Sequence, residues 1–257
     1  MKILYVGTTN PIGLGTHYIS AFQKLGHYVE TFDPNLFQVD GRLPHLVMRL
    51  TKSPPQANIR KAEAKIFSFC KKAHFDMVFN MAENFLSHEW IDGVRNALKD
   101  EAPQIVYHSH DNNFSDGILK PSHFWETLAK YDFAFTTKSQ NVWRYYELGQ
   151  SNTYFLPSAY EPTVHHPVLS TESRYQPDQF NVGFIGTYDG SREPYINSIP
   201  KDLIHLWGNG WNRYSRFAAY RSKMVAKAIY NEEFSDVVSH CKINLGLLRE
   251  EAKDLHT

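Results

Sequence analysis

His108-Ser109-His110-Asp111-Asn112-Asn113 concentrates more chemistry-bearing side chains than any other short stretch of the chain. It follows the apolar run Gln104-Ile-Val-Tyr-His108, where a strand gives way to a loop. Histidines two apart on a strand face the same way. With Asp111 they offer either the beginnings of a metal site or a polar pocket floor. In the second case His110 or Asp111 binds hydroxyls or exchanges protons with a substrate. No third histidine or cysteine stands at ligand spacing, so no metal is expected. A hydrogen-bonded loop without chemistry is the remaining possibility.

Two glycine-bearing loops carry the other candidate chemistry. The first follows Lys2-Ile-Leu-Tyr-Val-Gly7 and contains Gly13-Leu-Gly15-Thr16. The second follows Asn181-Val-Gly-Phe-Ile-Gly186 and runs Thr187-Tyr188-Asp-Gly190-Ser-Arg192. Glycines between a strand and a helix start expose backbone N–H groups that suit phosphate, sugar or nucleotide. In the first loop the pattern from Gly13 is GxGxxY. Tyr18 stands where a dinucleotide fingerprint needs its third glycine, which argues against NAD or FAD with Asp33 as the ribose acid. A loop admitting a sugar or acceptor at Gly13, Gly15 and Thr16, or a purely structural turn, fits better. In the second loop an N–H cradle at Gly186, Thr187 and Tyr188 plus Arg192 is a compact diphosphate holder. Leu206-Trp207-Gly208-Asn209-Gly210-Trp211 repeats the device after the next strand. Its glycines permit close approach and its tryptophans offer a stacking face.

The elements that must position these loops alternate from the first residue. Strands are expected at 2–7, 27–33, 76–80, 104–108, 133–137 and 153–156. Apolar periodicity places helices through Tyr18–Leu25 (closed by Gly26), Ile59–Ala73, Ile91–Leu98 and Val142–Tyr146 (closed by Gly149). Residues 34–57 read as a long connection with one short helix. Short apolar strands separated by helices imply a parallel sheet covered on both faces, with ligands beyond the carboxyl ends of its strands. The loops to watch are 7–17, 80–88, 108–117 and 137–141. Residues 157–178, with four prolines, read as an interdomain linker in which His165-His166 is structural or hinge sequence. A second unit follows, with strands at 181–185, 203–207 and 242–248, a helix near 192–198 and helical segments through 212–239.

Composition bounds the partners. The chain has 257 residues, 42% of them hydrophobic, and equal numbers of acidic and basic side chains, 27 each. A neutral balance gives no nucleic-acid footprint. Two distant cysteines, Cys70 and Cys241, suit a reducing, cytoplasmic setting. No apolar run approaches a membrane span of about 20 residues.

At these residues the chain resembles the CgeB-like (spore maturation protein) glycosyltransferases of the GT-B fold. The resemblance runs through Lys2–Gly7, Leu25-Gly26-His27-Tyr-Val, Tyr131-Asp132-Phe-Ala-Phe-Thr136 and Leu156-Pro157-Ser-Ala-Tyr-Glu-Pro-Thr-Val-His165-His166-Pro167. It continues through Val182-Gly-Phe-Ile-Gly186-Thr-Tyr, Trp207-Gly-Asn-Gly-Trp211 and Lys242-Ile-Asn-Leu245. It implies a complete Rossmann-like acceptor-side domain (1–160), a linker (161–178) and a partial Rossmann-like donor domain (179–257). Such enzymes are metal-independent and need no cofactor beyond a nucleotide-sugar donor. By the resemblance Gly186, Thr187, Tyr188, Arg192, Gly208, Asn209, Gly210 and Trp211 face the donor. Gly13, Gly15, Thr16, His110 and Asp111 line the acceptor side of a cleft between the domains.

The resemblance also implies a continuation beyond the 242–248 strand, resembling Arg-Ser-Phe-Glu-Ile-Pro, that supplies an acidic donor-site residue. The chain is therefore expected to be truncated relative to the family. The expected function is sugar transfer from a nucleotide-diphosphate donor to a glycan, protein or small-molecule acceptor. The alternatives are a truncated non-catalytic remnant and a nucleotide- or sugar-binding module. An oxidoreductase using the first glycine loop is the third.

Overall fold

The computed structural model describes residues 1–34, 56–82, 86–114, 122–169, 171–211, 224, 225 and 227–248. The chain divides into two compact units, one spanning Met1–Ala159 and the other beginning at Tyr160.

The first unit is a six-stranded sheet in the order β2-β1-β3-β4-β5-β6. Its strands are β1 (Lys2–Val6), β2 (Tyr28–Phe32), β3 (Met77–Asn80), β4 (Gln104–Ser109), β5 (Phe133–Thr136) and β6 (Thr153–Phe155). Every pairing is parallel. Its helices are α1 (Leu14–Lys24), α2 (Gln56–Lys72), α3 (His88–Leu98), α4 (Ser122–Leu128) and α5 (Ser139–Glu147). Strand alternation sorts the core into two faces. Leu4, Val6, Val78, Ile105, Tyr107 and Ala134 pack with residues of α2 to α5. Ile3, Tyr5, Phe79 and Val106 pack with Tyr18, Ile19 and Phe22 of α1.

Local sequence signals set the element ends. After α1 the Gly26 N–H donates to Gln23 and the His27 N–H to Phe22, with Gly26 at φ +80°. Gly149 repeats this Schellman closure after α5, at φ +91°. Ser87 caps α3 by accepting from the Trp90 N–H at 3.2 Å.

Helix α4 lies in a stretch where apolar periodicity predicts none; it is a short helix of seven residues. Most of the long connection assigned to 34–57 falls on residues 35–55, outside the described residues, whereas α2 already begins at Gln56. Parts of the 80–88 and 108–117 loops also lie outside them.

The second unit holds a four-stranded parallel sheet in the order β10-β7-β8-β9. Its strands are β7 (Phe180–Ile185), β8 (Ile204–Trp207), β9 (Met224–Val225) and β10 (Cys241–Asn244), and its helices are α6 (Glu193–Asn197) and α7 (Asn231–Ser239). Two expectations are corrected here. The sheet has four strands rather than three. Among the described residues, the stretch read as helical through 212–239 contains β9, pairing with Leu206 and Trp207, and helix α7. Residues 212–223 lie outside the described residues.

The proline-punctuated stretch read as a linker is fastened to α7. Ser235 Oγ donates to the Val164 carbonyl at 2.7 Å, and the Val168 N–H donates to Ser239 Oγ at 2.9 Å. Arg174 pairs with Glu233. Backbone groups that would otherwise need water thus find partners on the helix.

Candidate functional site

In the first unit the β1–α1 loop is held by its own residues and by Asp33, which follows β2. The Thr9 N–H donates to the Asp33 carboxylate at 3.0 Å, so Asp33 fastens the loop. Thr16 Oγ1 donates to the Gly13 carbonyl at 2.8 Å. Gly15 is buried, and a Cβ there would stand 2.2 Å from both the Thr8 carbonyl oxygen and Tyr5 Oη. The glycine is therefore required by close packing of α1 against its own loop. Gly13 precedes the helix in extended conformation at φ −94°.

At the carboxyl end of β4 two histidines and Tyr18 of α1 form a ring cluster. His108 lies on the same face as Val106, two residues earlier, and that face meets α1. Tyr18 of α1 brings its hydroxyl within 3.3 Å of His108 Nε2. The His108 and His110 rings are 4.6 Å apart, and Tyr18 stands 5.0 Å from the first and 5.6 Å from the second. His108 is only 1% exposed. Burial, then the neighbouring His110, lowers its pKa to about 3. Burial likewise lowers that of His110, opposed by Asp111 and reinforced by Lys138. Both imidazoles are neutral at pH 7. Among the described residues, His108 Nδ1 and His110 Nε2 are buried without a hydrogen-bond partner.

The segment carrying these histidines is anchored by the β5–α5 turn. Thr137 Oγ1 donates to the His110 carbonyl at 3.0 Å, and Asn141 Nδ2 donates to the Asp111 carbonyl at 2.8 Å. Asn113 Nδ2 donates to the phenolic oxygens of Tyr107 and Tyr145, and Ser109 Oγ donates to Asn113 Oδ1. Asp111 itself is exposed. The structure thus brings His110 and Asp111 together on one anchored segment. It joins His108 to them and adds Tyr18, which the sequence reading did not place in the site. The signal for it was present: the period-two spacing that puts His108 beneath the helix carrying Tyr18.

In the second unit the two glycine loops are stitched to each other. The Gly186 N–H donates to the Trp207 carbonyl and the Tyr188 N–H to the Asn209 carbonyl, both at 2.8 Å. Trp211 Nε1 donates to the Gly186 carbonyl at 2.8 Å. Gly208 and Gly210 have φ of +136° and +93°. The stacking face expected of the tryptophans is not offered, because Trp207 is 2% exposed and Trp211 fully buried. Instead Trp211 packs edge-on against Phe184 and Tyr188. Arg192 donates to the carbonyls of Thr187 (2.6 Å) and Leu247 (2.9 Å), with its guanidinium over the Phe184 ring. Tyr188 Oη donates to Glu193. Among the described residues the Thr187 N–H and hydroxyl and the Asn209 side chain make no hydrogen bond, and both residues are exposed.

Other conspicuous residues serve packing. His165 Nδ1 accepts from the Glu161 N–H at 3.0 Å, and its ring meets Phe234 edge-on. Ser173, Asp236 and His240 meet in the second unit, but Ser173 Oγ and the Asp236 carboxylate approach the same nitrogen, His240 Nδ1. A serine-activating relay needs opposite nitrogens of the ring, so this trio ties the chain to α7. Among the described residues no group of three or more His, Cys, Asp or Glu side chains is placed to hold a metal ion. No described helix is long and apolar enough to cross a membrane.

No protein-family model matches the chain. No curated protein matches it either. Among solved structures it is similar to the UDP-GlcNAc 2-epimerase of Methanocaldococcus jannaschii, with a TM-score of 0.57 at 11% sequence identity. The match covers 95% of this chain and 78% of that one. At that identity the likeness is one of fold, and with the two parallel sheets it establishes a GT-B-like α/β protein built of Rossmann-like units.

Proposed function

We propose that the chain is a nucleotide-sugar-processing enzyme of glycosyltransferase type, related to the CgeB-like proteins. It transfers a sugar from a nucleotide-diphosphate donor to a hydroxyl-bearing acceptor. The observation that supports this most is the placing of hydrogen-bonding groups with no partner in each unit. Among the described residues they stand at or just beyond the carboxyl ends of parallel strands, where such sheets bind ligands. The UDP-sugar enzyme among its fold neighbours is in keeping with that ligand class.

On this reading the second unit takes the donor at Gly186, Thr187, Tyr188, Gly208, Asn209 and Gly210. Thr187 and Asn209 donate to the diphosphate and stabilise the charge that develops as the glycosidic bond breaks. Arg192 and Trp211 hold the two loops in place, and Arg192 adds positive charge nearby. The first unit takes the acceptor beside Gly13, Gly15 and Thr16. There the neutral His110, or the carboxylate of Asp111, accepts the proton of the attacking hydroxyl.

A screen of nucleotide sugars with product analysis tests the proposal. Release of nucleoside diphosphate with transfer or hydrolysis of the sugar is expected. Conversion of UDP-GlcNAc to its 2-epimer would replace transfer by isomerisation, the reading that the fold neighbour favours. Calorimetry with UDP, GDP and NAD separates the remaining alternatives. Tight NAD binding with no response to the diphosphates would point to an oxidoreductase, and silence towards all three to a non-catalytic protein.

A further inference from the structure

Two buried imidazole nitrogens without partners, on rings 4.6 Å apart, are an uncommon arrangement. A buried polar group that makes no hydrogen bond loses its solvation without compensation, and native proteins leave few. A neutral imidazole presents one N–H donor and one acceptor nitrogen. His108 already uses Nε2 towards Tyr18 Oη. Whichever way that bond runs, Nδ1 is left as the complementary group, a donor if Nε2 accepts and an acceptor if Nε2 donates. His110 has the same choice at Nε2. A single hydroxyl, which donates once and accepts twice, can satisfy such a pair.

We propose that His108 and His110 form a binding subsite for a hydroxyl of an uncharged, polyhydroxylated ligand, a carbohydrate. Tyr18 is the positioning residue that sets which nitrogen of His108 carries the proton. The assignment deepens the acceptor reading of the first unit and rests on that reading for the choice of carbohydrate.

The surroundings favour a neutral ligand. Asp111 and Lys138 offset each other's charge beside His110, and the pair carries no positive charge of its own near neutral pH. The half-buried ring of Tyr18, 5.0 Å from His108 and 5.6 Å from His110, suits the C–H face of a sugar. Tyr18 and His110 are only half-buried, so rotation of these side chains is the route by which a hydroxyl reaches nitrogens that are covered in the free chain.

The test follows the imidazole ring signals of the ¹⁵N-labelled full chain by NMR. Assignment uses through-bond correlations from each ring to its backbone, checked with His108→Gln and His110→Gln. The probes are methyl glycosides of glucose, galactose, mannose and N-acetylglucosamine, with inorganic phosphate alongside. At least one glycoside is expected to shift both rings saturably while phosphate leaves them unmoved. His110→Gln should weaken that glycoside about five- to tenfold. Tyr18→Phe, which keeps the ring, should change the tautomer signature of His108 and weaken binding about threefold. A role confined to packing would leave that signature in place.

Rings that ignore every glycoside overturn the proposal, as does a response to phosphate alone. If the glutamine variants do not fold, titration of the unaltered chain and of Tyr18→Phe still decides the matter. Turnover of a nucleotide sugar with silent rings would refute this subsite and leave the enzymatic reading standing. Responsive rings without turnover would do the reverse.

Discussion

Gly208 lies against the carbonyl of Gly186 so closely that a Cβ on Gly208 would stand 2.1 Å from that oxygen. The contact joins the loops that leave β7 and β8, and it leaves Thr187 and Asn209 beside each other's loops. Gly208→Ala meets both that collision and a φ of +136°, which side chains rarely adopt. A loss of about 2–4 kcal/mol is expected for the second unit. Urea unfolding followed by tryptophan fluorescence checks it. Trp207 and Trp211 report on this unit, and substituting Trp90, Trp125 and Trp143 by phenylalanine isolates their signal.

Gly15→Ala should destabilise the first unit by a comparable amount, about 2–4 kcal/mol, because its Cβ meets Tyr5 Oη and the Thr8 carbonyl. Tyr5→Phe removes one of the two obstacles. The double variant is therefore expected to recover part of the loss, and a double-mutant cycle in thermal unfolding measures the coupling. Strict additivity would show that the close approach is not what requires glycine.

Thr187→Val and Asn209→Ala remove groups that make no hydrogen bond among the described residues. Their melting temperatures should stay at the unaltered value. UDP or GDP affinity, whichever the chain binds, should fall about five- to tenfold in calorimetry. Arg192→Ala behaves differently, since its guanidinium bonds to the carbonyls of Thr187 and Leu247. Both stability and nucleotide affinity are expected to fall together.

His108 gives the first unit a pH dependence of definite sign. Its folded pKa of about 3 lies below the ordinary 6.5, so the unfolded chain binds the extra proton first. Stability is full above about pH 6.5 and falls as the pH drops towards 3. His110 shifts in the same direction. His108→Gln should flatten this window in chemical unfolding measured across it, and an unchanged slope would count against the buried neutral ring.

Much of the fold is written locally. Apolar runs mark β1, β3 and β4, and Gly26 and Gly149 close α1 and α5 through backbone conformations that favour glycine. Helix α4 escaped because seven residues hold too little periodicity to register. Strand β9 escaped because two residues become a strand only by pairing with Leu206 and Trp207. The glycine loops were legible as close approaches, but not what approaches them. Spacing suggested ligand at Gly15 and Gly208, whereas the neighbours are Tyr5, Thr8 and Gly186.

By itself the sequence determined the alternation of strand and helix, the parallel sheets it demands and the strand ends where polar side chains gather. These follow from periodicity and from conformations that few residues adopt, both properties of neighbours along the chain. Tertiary structure alone decided which polar groups were already used. Arg192 and Trp211 spend theirs on backbone carbonyls of other turns, while among the described residues His108 and His110 retain a buried nitrogen each without a partner. A hydrogen bond or its absence is fixed by distance in space, and Tyr18 meets His108 across 90 residues of chain.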